Sequence, residues 1–164
     1  MKKLAVLFLF FVVSSCFGQS DKTDMPYTID LSNTTFKYEG STMPHFYNYT
    51  AGKKNDTLAN YFTIVNRPYK KHGLDVRKQV AKELLDMYKG IKQISQLSQK
   101  EIVIDNEKAF EICLVNNYSG KAFTQYVVVL GNNKTTLFFA GKALTDFDET
   151  VKEFKAIARS IKIK

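Results

Sequence analysis

The second half of the chain alternates apolar segments with links too short for anything but an antiparallel sheet. Residues 101–104, 109–115, 123–130 and 135–140 are strand-like. Between them stand Asp105-Asn106-Glu107-Lys108, Asn116-Asn117-Tyr118-Ser119-Gly120 and Gly131-Asn132-Asn133-Lys134. A parallel neighbour would need a crossover of about a dozen residues or more, whereas brief Asn- and Gly-rich links close hairpins. Tyr126-Val127-Val128-Val129-Leu130 and Leu137-Phe138-Phe139-Ala140 are apolar at consecutive positions. Consecutive side chains point to opposite faces of a sheet, so this part expects cover on both sides.

Two helices can supply that cover. Asp75 is placed to cap a helix whose apolar residues Val76, Val80, Ala81, Leu84, Leu85 and Tyr88 recur at three-and-four spacing, with Gly90 as its stop. Lys78, Lys82 and Lys89 occupy its other side. Thr145 with Asp148 resembles a capping box, and Phe147, Val151, Phe154, Ile157, Ala158 and Ile161 then form one apolar face. Ahead of the first helix, Tyr27, Ile29 and Leu31 alternate as a strand, Phe36 and Tyr38 suggest a second, and 46–50 and 58–65 read as a hairpin around Gly52-Lys53-Lys54-Asn55-Asp56. The expected fold is α+β, an antiparallel sheet flanked by two helices in a three-layer α/β/α sandwich. With 164 residues, three prolines and eight glycines, the chain suits one globular domain over 27–164.

This order of elements resembles the PsbP-like fold, the group of photosystem II PsbP-type accessory proteins and DcrB-type bacterial envelope proteins. The resemblance spans about 27–164. Ile102-Val103-Ile104, Lys108-Ala109-Phe110-Glu111-Ile112, Tyr126-Val127-Val128-Val129-Leu130, Leu137-Phe138-Phe139-Ala140-Gly141 and Phe154-Lys155-Ala156-Ile157-Ala158-Arg159-Ser160-Ile161 carry it. These are architectural positions, and the group is mostly non-enzymatic. The resemblance therefore implies a binding or accessory role and brings no catalytic residues with it.

The first residues read as an address. Lys2 and Lys3 precede an apolar run, 4–13, that ends in Ser14 and Ser15. That is a signal-peptide pattern, and a membrane span would need about 20 apolar residues. Cleavage after Gly18 would leave a leader, 19–26, starting at Gln19. The competing reading takes Val13-Ser14-Ser15-Cys16 as a lipobox, with Cys16 acylated and the domain tethered to a membrane. The expectation is an exported protein, periplasmic or secreted, or a membrane-anchored lipoprotein.

Chemistry is sparse. Phosphate-loop, nucleophile-elbow, dinucleotide and zinc-protease motifs are absent, and His45 and His72 have no nearby ligands in sequence, so no metal, cofactor or catalytic residue is expected. Cys113 lies in an apolar segment and reads as a buried, inert thiol; Glu101, Asp105, Glu107 and Glu111 read as solvated strand positions. The formal charge of +8 comes mainly from lysines, with arginine only at 67, 77 and 159. Bidentate recognition of phosphates and bases favours arginine, so no nucleic acid is expected. One local cluster is singled out: Arg67, Tyr69, Lys70, Lys71 and His72, held by Pro68 just before the first helix. An envelope protein or an anionic ligand is its expected partner, the alternative being a solvated connector. The function read from sequence is a non-catalytic binding or accessory protein of a bacterial envelope. An anionic lipid or glycan binder and a small enzyme with dispersed residues are the alternatives.

Overall fold

The computed structural model describes residues 25–51, 59–118 and 121–164. The signal-like run 1–18 with Cys16, most of the 19–26 leader, the 52–56 turn, Leu58 and the Ser119-Gly120 link lie outside the described residues.

The elements run Tyr27–Thr28 (β1), Phe36–Met43 (β2), Phe46–Ala51 (β3), Tyr61–Asn66 (β4), Leu74–Lys89 (α1), Ile94–Ile104 (β5), Glu107–Tyr118 (β6), Lys121–Gly131 (β7), Thr136–Ala143 (β8), Phe147–Arg159 (α2) and Lys162–Ile163 (β9). Seven strands form one antiparallel sheet in the order β2-β3-β4-β8-β7-β6-β5. The β5–β8 meander is as the short links require. At the β5–β6 turn, Asp105 and Asn106 both take positive φ (52° and 61°), which these two residue types tolerate and a tight two-residue hairpin demands.

Several expectations need correction. The alternation at Tyr27, Ile29 and Leu31 yields only a two-residue strand, and β1 pairs with β9 at the far end of the chain, outside the large sheet. β5 starts at Ile94, seven residues before the apolar signal, because Ser95, Gln96, Ser98, Gln99 and Lys100 can line an exposed sheet edge without burial. Gly73, not Asp75, precedes α1, and Asp75 falls in the first turn, where its charge suits the helix N-terminus. Thr145 does not cap α2. Asp146, in the left-handed region at φ 47°, holds that position without a side-chain bond. Asn60 organises the turn instead: its Oδ1 accepts from Leu144 N (2.7 Å) and Thr145 N (3.1 Å), and its Nδ2 donates to Thr150 Oγ1 (2.8 Å).

The two helices lie on opposite faces. Val80, Ala81, Leu84 and Tyr88 of α1 pack with Phe110, Ile112, Leu114, Val127, Val129 and Phe138. Phe154, Ile157 and Ala158 of α2 pack on the alternate set, Tyr126, Val128, Leu130, Leu137 and Phe139, together with Phe36, Tyr49 and Phe62. The sheet outreaches α1, which lies over β5, β6 and β7. The molecule is thus a mixed α+β fold dominated by its sheet. Among the described residues no helix is long and apolar enough to cross a membrane.

Candidate functional site

The 67–72 segment is drawn down onto β8. The Arg67 guanidinium stands 5.1 Å over the Phe138 ring and its backbone N–H donates to Thr136 O at 3.3 Å. The Tyr69 ring meets His72 edge-on at 6.4 Å and lies 6.5 Å from Phe138, and burial pushes its phenol pKa up. His72 Nδ1 is 3.0 Å from Thr136 Oγ1. Lys70 and Lys71 are the exposed cations of the segment. The five residues therefore divide: three tie the connector to the sheet, and two face solvent.

That connector borders a sheet surface the sequence did not announce. Strand register sets one residue from each strand into a row on the α1 side: Lys37 (β2), Thr50 (β3), Tyr61 (β4), Lys142 (β8) and Gln125 (β7). The row then passes to Leu114 and Leu97, alongside α1. Asn48, Thr63 and Ala140 form the next row. Lys37 and Tyr61 are exposed and the others in these two rows from β2 to β7 half-buried. The Lys142 ammonium sits 4.1 Å over the Phe123 ring, and burial pushes its pKa down. Thr63 Oγ1 donates to Asn48 Oδ1 (2.8 Å), and Thr50 Oγ1 to Glu39 Oε1 (2.9 Å). Side chains that both donate and accept, one ring and two ammoniums make this surface suited to a ligand bearing hydroxyls and negative charge. Its only local clue is the apolar–polar alternation of 61–65; the row itself comes from register.

A second polar group lies under α2. Glu111, expected to be solvated, is only 7% exposed. Its Oε2 accepts from Tyr126 Oη at 2.8 Å and Arg159 Nη2 at 3.4 Å, so the last turn of α2 is fastened to β6 and β7. Burial, with Glu111 adding, pushes the Tyr126 phenol far up. Cys113, opposite Tyr126, is half-buried rather than buried; burial raises its thiol pKa while Lys155 opposes the shift. A thiol held protonated is a poor nucleophile. The other acidic residues of this hairpin are also engaged. Glu107 pairs at 2.8 Å with Arg77, which is 1% exposed on the covered side of α1, Glu101 pairs with Lys108 at 2.7 Å, and Asp105 Oδ2 accepts from Ile163 N at 2.9 Å.

A shallow cleft of about 460 Å³ runs between α2 and the segment after β1, lined by Asp30, Asn33, Lys152, Glu153 and Ser160 among others. Its polar walls bond each other: Thr35 N donates to Glu153 Oε1 (2.8 Å) and Asp30 N to Ser160 Oγ (3.0 Å). Among the described residues no group of three His, Cys, Asp or Glu side chains could hold a metal ion.

No family model and no curated protein matches the chain. Among solved structures it is similar to LpqN of Mycobacterium tuberculosis, a protein described as involved in cell envelope biogenesis. The match covers 84% of each chain at a TM-score of 0.60 and 16% sequence identity. At that identity the likeness is one of fold. The chain shares an architecture with a cell-envelope protein over most of its length.

Proposed function

We propose that this chain is an exported, envelope-associated binding protein, an accessory or assembly factor that acts by contact rather than by turnover. The observation that carries the reading is the fold shared with LpqN over 84% of both chains. The signal-like run at 4–13 supports export, by cleavage before Gln19 or by acylation of Cys16. The sheet face that α1 leaves uncovered among the described residues supports binding, and the raised thiol pKa of Cys113 argues against a nucleophilic role for it. PsbP-like layering belongs to the same reading, with the α1 layer confined to half of the sheet.

Fractionation of cells carrying the full chain with its native leader tests the location. The expected result is the chain in the envelope fraction; a cytoplasmic chain overturns the reading. Mass spectrometry then separates a mature terminus at Gln19 from a diacylglyceryl adduct on Cys16. Photo-crosslinking from position 61, on the open half, and from position 103, on β5, tests the contact. Crosslinks to envelope components from position 61 are expected, and turnover of an envelope substrate by the purified chain would sink the non-catalytic part.

A further inference from the structure

We propose that the part of the α1-side sheet face that α1 does not cover, from β2 to β8 with Gln125 of β7 at its border, binds an acidic glycan. The sugar faces would rest on Tyr61 and the carboxylates would be met by Lys37 and Lys142. This rests on the reading of the chain as a binding protein and names the ligand class for its open face.

The row Lys37, Thr50, Tyr61, Lys142, Gln125 places one side chain per strand. With neighbouring strands ~4.8 Å apart, it makes a track of roughly 19 Å across the sheet. A sugar ring offers C–H groups on its face and hydroxyls at its rim. It is matched by an aromatic ring flanked by groups that donate and accept, as Thr50, Thr63, Asn48 and Gln125 do. Tyr61 is one of two large hydrophobic residues exposed among the described residues, at 39%, and it stands in the middle of this track. The sign of the charge follows from Lys37 and Lys142 along the row and Arg67 at the margin, against the Glu39 carboxylate that takes the Thr50 hydroxyl.

Competing ligands fit less well. An added peptide strand binds a sheet edge through free backbone groups; along this row only β2 is an edge strand, whereas the backbones of β3, β4, β8 and β7 are engaged in the ladder on both sides. A lipid surface favours cations that project. The Lys142 ammonium instead lies across the Phe123 ring within the sheet, where a thin chain can reach it and a bilayer cannot.

The test is calorimetric titration of the exported chain with oligogalacturonate and with alginate oligomers. At least one is expected to bind, with a neutral dextran oligomer about tenfold weaker or worse. Lys142→Gln, Tyr61→Ser and Lys37→Gln should each weaken binding, the first two by about tenfold, while Lys152→Gln on α2 should leave it unchanged. Lys37 and Tyr61 are exposed, so their variants keep the test valid if Lys142→Gln, at a half-buried site, fails to fold. Binding of neither polyuronate overturns the proposal, as does equal loss from the α2 variant. Tighter binding of anionic vesicles or of an acidic peptide at the same site also overturns it. Cleavage of a bound oligomer would leave the site standing and overturn the non-catalytic reading. Absence of binding would overturn this site alone and leave the envelope location to its own test.

Discussion

Two rows of side chains cross the same strands one residue apart and have opposite chemistry. On the α2 side the row reads Tyr38, Tyr49, Phe62, Gly141, Tyr126, Cys113; on the α1 side it reads Lys37, Thr50, Tyr61, Lys142, Gln125, Leu114. The first is a ring stack. Tyr49 and Phe62 lie 4.4 Å apart and nearly parallel, Phe62 and Phe139 4.7 Å apart, and Phe154 of α2 closes over them. Gly141 makes that closure possible, since a Cβ there would sit 2.7 Å from the Phe154 ring. The second row keeps hydroxyls, amides and ammoniums from β2 to β7 and turns apolar at Leu114, under α1. The period of two in a strand lets the β2–β8 part of the sheet keep a packed core on one face and polar side chains on the other, while the α1 side packs its own core further along the sheet.

The largest expected effect tests that division at adjacent residues. Phe62→Ala should cost about 3–5 kcal/mol in a denaturant titration, as truncation of a buried ring does. Tyr61→Ala should cost less than about 1 kcal/mol. Equal losses would abolish the comparison. Next, Gly141→Ala forces a methyl against a fully buried ring and should cost about 1–3 kcal/mol, while its open-face neighbour Ala140→Ser should be nearly neutral.

Alkali probes one buried phenol on each face. Burial pushes Tyr49, on the α2 side, and Tyr88, on α1, from the ordinary 10.0 to about 12. The fold favours their neutral forms, so their contribution is complete below pH 10. It is lost as pH rises toward about 12, because the unfolded chain releases protons that the folded chain retains. Melting temperature should therefore fall across that window, and less steeply in Tyr49→Phe and Tyr88→Phe; an unchanged slope in both variants would refute the assignment. The smallest effect is expected at the connector. Lys70→Ser with Lys71→Ser should change stability by less than about 1 kcal/mol, whereas Arg67→Ser should cost more because it uncovers Phe138.

Much of this molecule was legible in its sequence wherever the signal was local. The β5–β8 meander followed from Asn- and Gly-rich links, and α2 from its apolar spacing. Long-range substitutions for local signals were not legible. The capping box at Thr145 was displaced by Asn60, more than eighty residues away. Glu111 looked solvated because its partners, Tyr126 and Arg159, come from other elements. The Arg67–Tyr69–His72 cluster read as one cationic loop, and Phe138 and Thr136 of β8 divided it.

The sequence by itself determined an antiparallel sheet, two amphipathic helices and a signal-like start. Hydrophobic period and turn chemistry are properties of neighbouring residues, and no partner is needed to read them. Only the tertiary structure decided that β1 pairs with β9, that α1 covers half of its face, and that Lys37, Thr50, Tyr61, Lys142 and Gln125 share one row. Register joins residues across the chain, and a one-residue slip would exchange the ring stack for the polar row, so the surface exists only once the strands have paired.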